Sequence, residues 1–284
     1  MKWQGRRGSQ NIEDRRKSGG GKAAGGIGGV GLIAVLAIGY FMGVDPATLL
    51  NIAGGGQTTS SGPVEITQED QERGTFVSVT LRDTEVIWTE VFKQQLGRTY
   101  NPATLVLFKG STQSPCGGAS GASGPFYCPA DKKAYLDTSF FTTMSRKLGA
   151  SGDFAAAYVV AHEIAHHVQN EMGTLGEANR ARQSMSQGDS NRVSVMIELQ
   201  ADCYSVIWVR YAQEKLKTLE RGDLGEAINA AKQIGDDTLQ RNAGQQPNPH
   251  TFTHGTSAQR QKWFQRGFNT ARMDQCDTFT AQNL

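Results

Sequence analysis

"AHEIAHHVQN", residues 161–170, places two histidines four residues apart with a glutamate directly after the first. On a helix, positions i and i+4 are about 400° apart, so His162 and His166 differ by only about 40° around the axis. Both imidazoles can then reach one metal ion. Glu163, about 100° from His162, sits beside that ion without binding it. The spacing is HExxH, in which two histidines hold zinc and the glutamate serves as base. Zinc lowers the pKa of a coordinated water to about 7 and polarises a carbonyl, so the pattern points to hydrolysis. The flanking Val159, Val160, Ala161, Ile164 and Ala165 would bury this helix, and a buried His-Glu-His group with no cation is costly.

A catalytic zinc site takes three protein ligands and leaves a fourth position open. "ELQAD", residues 198–202, supplies the third. Glu198 and Asp202 are again i and i+4, in an apolar pattern with Val195, Leu199, Ala201 and Val206. Glu198 is the expected ligand. Asp202, one turn on, is placed to accept from the other nitrogen of a ligand histidine, fixing its tautomer. The expected load is one zinc ion per chain. Cys203, about 140° from Glu198, cannot easily share the metal, and His167, about 100° from His166, reads as a bystander.

The chain has 284 residues, with ordinary hydrophobic (38%) and charged (20%) content, enough for a sizeable core. Its net charge of +2 is uneven: residues 1–22 carry seven bases and two acids, leaving −3 on the rest. A mildly acidic body excludes a nucleic-acid partner, whose footprint would be basic. Residues 23–44 contain no charged side chain, and as a helix they would span roughly 33 Å, about a bilayer core. With bases before it and no small-residue cleavage site after it, this stretch reads as an uncleaved membrane anchor. The positive-inside rule puts residues 1–22 in the cytoplasm and everything after the anchor in the periplasm or outside. The four cysteines all follow the anchor, as disulfides of an exported domain would. Cys116 and Cys128 bracket a Gly/Ser-rich loop and are paired here, leaving Cys203 with Cys276.

The remaining organisation follows from composition and period. Residues 45–75 form a flexible tether, and a folded domain is expected over 76–284. Residues 84–97 read as a helix ending at Gly97, 103–108 as a strand, and 126–140 as two short strands about a Pro-Ala-Asp turn. Residues 153–173 (Asp153 as N-cap), 190–215, 223–235 and 257–271 read as helices. A small sheet packed on several helices is an α+β fold.

"HEIAHHVQ", "ELQADCY", "SPCGGASGASGPFYCPADKKAYLDTSFF", "IGDDTLQ" and "HGTSAQRQKWF" together resemble the bacterial family of predicted neutral zinc metallopeptidases. The active-site layout is also similar to gluzincins, which combine HExxH with a downstream ExxxD. The resemblance implies a minimal zincin-like core with a sheet edge beside the active-site helix, and peptide-bond hydrolysis. Gluzincins draw an oxyanion donor from a downstream histidine or tyrosine. His254, just before Gly255, Thr256 and Ser257 at the mouth of the final helix, is the expected donor, ahead of His250 and Tyr204.

The expected function is a membrane-tethered zinc endopeptidase acting on peptides or proteins of the cell envelope. A non-catalytic zinc protein that binds an envelope partner, and a zinc amidase of cell-wall peptides, are the alternatives. Nothing in the sequence sets the oligomeric state.

Overall fold

The computed structural model describes residues 1–17, 65–120 and 124–284. The expected anchor at 23–44 and most of the expected tether lie outside the described residues. Among the described residues, no helix is long and apolar enough to cross a membrane.

A four-stranded sheet organises one half of the fold. Its strands are β1 (Ile12–Asp14), β2 (Thr104–Phe108), β5 (Phe126–Cys128) and β6 (Lys133–Asp137), in the order β1-β2-β6-β5. β1 and β6 run parallel to β2, and β5 closes the far edge antiparallel to β6. Most of β2 and β6 is buried, matching near-continuous apolar runs of strands covered on both faces. A separate hairpin, β3 (Ser111–Ser114) with β4 (Gly117–Ser120), was not legible in its polar, Gly-rich sequence.

Helices form the rest. α1 (Gln68–Val91), α3 (Asp153–Glu171), α5 (Gln187–Tyr211) and α8 (Ser257–Thr270) are the long ones. α2 (Phe140–Lys147), α4 (Thr174–Arg182), α6 (Asp223–Gln233) and α7 (Asp236–Asn242) connect them. The architecture is α+β, as the sequence predicts. α3 is buried along nearly its whole length, with Phe154, Tyr158, Val160, Ile164 and Val168 fully enclosed. α8 lies tightly on α5. A methyl group on Gly267 would come within 2.1 Å of the Cys203 carbonyl oxygen, so only glycine permits this approach. Beside that contact the Cys203–Cys276 disulfide ties the C-terminal segment to α5, and Cys116–Cys128 joins the β3–β4 hairpin to β5. Both pairings agree with the sequence reading.

Three expectations need correction. The folded body does not begin at residue 76: α1 starts at Gln68, behind a capping box in which Thr67 and Asp70 satisfy each other's backbone N–H groups. Asp70 also accepts from Lys109 Nζ at 2.7 Å. Asp153 is not the N-cap of α3. That position is Gly152, and the Asp153 carboxylate instead meets the Met1 ammonium at 2.8 Å.

The largest correction concerns residues 1–22. The first 17 are no separate tail. Ile12, Glu13 and Asp14 pair with Leu105, Val106 and Leu107 as the outer strand of the sheet. Arg6 donates to Asp83 (Nη2–Oδ1 2.7 Å), and Arg16 packs its guanidinium against Gly74 and donates to the Asp70 carbonyl. The basic charge read as a topology signal is therefore partly matched to acids within the same body. A tail held across a membrane from the domain is incompatible with this strand pairing.

Asp83 is almost wholly enclosed, and burial raises its pKa against the lowering pull of Arg6. Arg6→Ala should therefore destabilise the protein by about 2–3 kcal/mol, the cost of leaving a buried carboxylate without its partner. Urea unfolding of the full chain measures this.

Candidate metal centre

α3 and α5 cross so that one face of each meets at a single point. From α3 come His162 and His166, and from α5 comes Glu198, with one ligand atom of each lying within 4.8 Å of the others. His162 Nε2 is 3.1 Å from Glu198 Oε2, and His166 Nε2 is 3.5 Å from Glu198 Oε1. Tetrahedral zinc with bonds of about 2.0–2.1 Å would separate its ligand atoms by roughly 3.3 Å. Two imidazoles and a carboxylate converging at this spacing fit a zinc ion.

The outward nitrogens are held as well. His166 Nδ1 faces Gln169 Oε1 at 2.8 Å, and the Gln169 amide donates to the Ile197 carbonyl (2.8 Å) and to Gln200 (3.0 Å). His162 Nδ1 lies 3.1 Å from Asp202 Oδ1, but off the line a hydrogen bond requires. That contact is therefore an electrostatic one. Asp202 is fully buried and already engaged: Arg260 donates from Nε (2.8 Å) and Nη2 (2.7 Å), and the Tyr158 hydroxyl donates to Oδ1.

The electrostatics follow from burial and these neighbours. Burial lowers the pKa of His162, but Asp202 and Glu198 more than reverse this and push it up to about 10. Burial dominates at His166, whose pKa is lowered. Burial works against the Glu198 carboxylate, yet His166, His162 and His254 hold its pKa well below the ordinary value. The cluster is thus a negative centre favouring a cation.

Glu163 is different. It is buried, and among the described residues nothing donates a hydrogen bond to its carboxylate, whose oxygens keep a little contact with solvent. Burial foremost, with the charge of Glu198, pushes its pKa up to about 7 against His162, His254 and Arg260. A carboxyl poised near neutrality is suited to taking and returning a proton.

The structure also brings in His254. Its charge is felt by both Glu163 and Glu198. Asp236 fixes it: Oδ2 accepts from the backbone N–H of Thr253 (2.8 Å), His254 (2.6 Å) and Gly255 (2.9 Å), while Oδ1 lies 3.2 Å from His254 Nδ1. The other candidates fall elsewhere. His250 is exposed. Tyr204 is a core residue packed edge-on against Trp88. Cys203 is in its disulfide. His167 does more than stand by: its Nε2 meets the Asn101 carbonyl at 2.7 Å and its Nδ1 meets the Tyr127 hydroxyl at 3.0 Å, binding α3 to β5.

Sequence reasoning missed Gln169, Tyr158, Asp236 and Arg260. The first two stand three residues after His166 and four before His162, a helical spacing that could have found them. Asp236 and Arg260 are distant in sequence; both fall in blocks that carry the family resemblance, but spacing alone assigns neither a role.

Residues 1–279 match the family described as "Putative neutral zinc metallopeptidase". The chain is 45% identical over 290 residues to "Uncharacterized protein YpfJ" of Escherichia coli (strain K12), covering 98% of this chain and 99% of that one. It is also 45% identical over 195 residues to "Uncharacterized protein Rv2575" of Mycobacterium tuberculosis (strain ATCC 25618 / H37Rv), covering 65% of each. No solved structure matches the chain.

Removing one member of a buried ion pair strands the other charge, at a cost of about 3–5 kcal/mol. Arg260→Met should destabilise the protein by that amount. Asp202→Asn combined with Arg260→Met should recover a substantial part, because neither charge is then left alone. Chemical denaturation of both variants reads the difference.

Proposed function

The chain belongs to the neutral zinc metallopeptidase family, and from that premise we propose that it is a zinc endopeptidase acting on peptides or proteins of the cell envelope. The observation carrying the reading is Glu163: a buried carboxyl without a hydrogen-bond donor, beside a convergent pair of imidazoles and a carboxylate. A zinc site that only held the fold would have no use for a base there.

In this reading His162, His166 and Glu198 hold one zinc ion, and Asp202 and Gln169 hold the two imidazoles in register. Bound zinc supplies a Lewis acid and lowers the pKa of the attacking water to about 7. With the metal in place, Glu163 would take a proton from a water adding to the scissile carbonyl and return it to the leaving amine. His254, held by Asp236, donates to the oxygen that gains negative charge during addition. The terminal strand β5 beside α3 agrees with a zincin-like core, in which an extended peptide would add along a sheet edge. Envelope location is supported by the two disulfides, which persist in oxidising compartments. Membrane attachment through 23–44 belongs to the same proposal, as an association that does not cross the bilayer, because residues 1–17 pair with the body.

Glu163→Gln should retain one zinc per chain by elemental analysis and lose hydrolysis of a mixed peptide library by more than about 10²-fold, since it removes a base and no ligand. Full activity in that variant would overturn the reading. His254→Ala should keep its zinc and lower turnover by roughly 10²-fold, the effect of removing one oxyanion donor. Loss of zinc would instead make His254 a ligand.

A further inference from the structure

Arg182 closes α4, the helix that follows the active-site helix α3. Its Nη1 donates to Ser194 Oγ at 2.8 Å, the single hydrogen bond its guanidinium makes among the described residues. No carboxylate among the described residues lies within ion-pairing distance of it, whereas Arg6, Arg15, Arg16, Arg73, Arg82 and Arg260 all have one. A guanidinium has five N–H donors, so most of this one's capacity is unused. Yet the side chain is half-buried. Burial lowers its proton affinity and the charge of Glu198 raises it, with burial prevailing.

Its position gives this unpaired charge a direction. Ser194 precedes Glu198 by four residues on α5, so the two share a face of the helix about one turn, roughly 5.4 Å, apart. The guanidinium held by Ser194 therefore lies about one helical turn along α5 from the metal-facing Glu198, whose charge it feels. An extended peptide advances about 3.3 Å per residue. A group one or two residues from a bond lying at the metal is within its reach. On the same two helices Leu175, Ala178 and Ile197 form a small buried apolar cluster, with Val193, Tyr127 and Phe279 packed against it.

We propose that Arg182 is a specificity-determining residue that binds a carboxylate of the substrate one or two residues from the scissile bond. This inference rests on the peptidase reading of the metal centre. The carboxylate could belong to an Asp or Glu side chain or to the free C-terminus of the peptide, and the planar fork of arginine suits either.

The test uses the full zinc-loaded chain and four peptide sets of otherwise identical sequence: neutral with an amidated C-terminus, amidated with one Asp, amidated with one Lys, and neutral with a free C-terminus. The readout is the ratio of kcat/KM for each of the other sets to the neutral amidated set, taken within each variant, so that a general loss of fold or activity cancels. The wild-type protein should prefer one carboxylate-bearing set, and which one identifies the source. Arg182→Ala should collapse that preference by about 10–100-fold, mainly through KM, Arg182→Lys should restore part of it, and Arg182→Glu should move it to peptides bearing Lys. Binding of the same peptides to zinc-loaded Glu163→Gln, by fluorescence anisotropy with and without Arg182→Ala, gives a second readout independent of turnover. Carboxylate-selective binding that depends on Arg182 without any hydrolysis would sustain this assignment and overturn the peptidase reading. No carboxylate preference in rate or binding, or a preference unchanged by Arg182→Ala, would overturn the assignment itself.

Discussion

Asp202 and Arg260 put two opposite charges at the centre of the molecule, where neither has access to water. A pair in that position survives only when every part of the carboxylate is engaged, because desolvation otherwise exceeds the attraction. Here the carboxylate meets two guanidinium N–H groups, the Tyr158 hydroxyl and the imidazole of His162. The contact therefore joins α8 to α5 and α3 at one atom group, and one of the metal-facing histidines is part of it. Fold and site are not separable layers in this protein. The helix that packs the C-terminal third is oriented by the same carboxylate that orients the site.

The neighbouring features tighten this seam. Cys203, next to Asp202 in sequence, carries the disulfide to Cys276, and its carbonyl is where Gly267 allows α8 to approach. Asp236 extends the pattern to the loop before α8 by gathering three consecutive backbone N–H groups onto one oxygen. Such a loop cannot tilt without leaving buried donors unsatisfied. His254 is thus placed by backbone geometry as much as by its own ring contact.

The sequence was most readable where chemistry and helical period coincide. His162, Glu163, His166, Glu198 and Asp202 were all identifiable because an i, i+4 pair on an apolar helix fixes a direction in space, and the structure gathers them. The strands β2, β5 and β6 and the ends of most long helices were legible from apolar runs, turns and glycines. What escaped depends on partners remote along the chain. The N-terminal half of α1 is polar enough to pass for a tether, and only Thr67 and Asp70 announced its start. β1, with the residues IED, has neither length nor apolar pattern. The bases around it suggested membrane topology because Arg6 meets its acid, Asp83, 77 positions away, and nothing local announces the fold that pairs Arg15 and Arg16 with Glu13 and Asp14. The roles of Arg260 and Asp236 were hidden because their partners are remote along the chain.

β1 also bears on how the chain assembles. Its partner β2 lies more than ninety positions later, at Leu105 to Leu107, and residues 18–64 separate β1 from the rest of the body. Closing a contact across so wide a separation in sequence carries an entropic cost that grows with the logarithm of that separation, whereas the same strand from another molecule is limited by concentration instead. The edge of β2 presents the same unpaired backbone groups to either. During refolding at high protein concentration, exchange of the first seventeen residues between two molecules therefore competes with closure within one, and dilution favours the self-paired form.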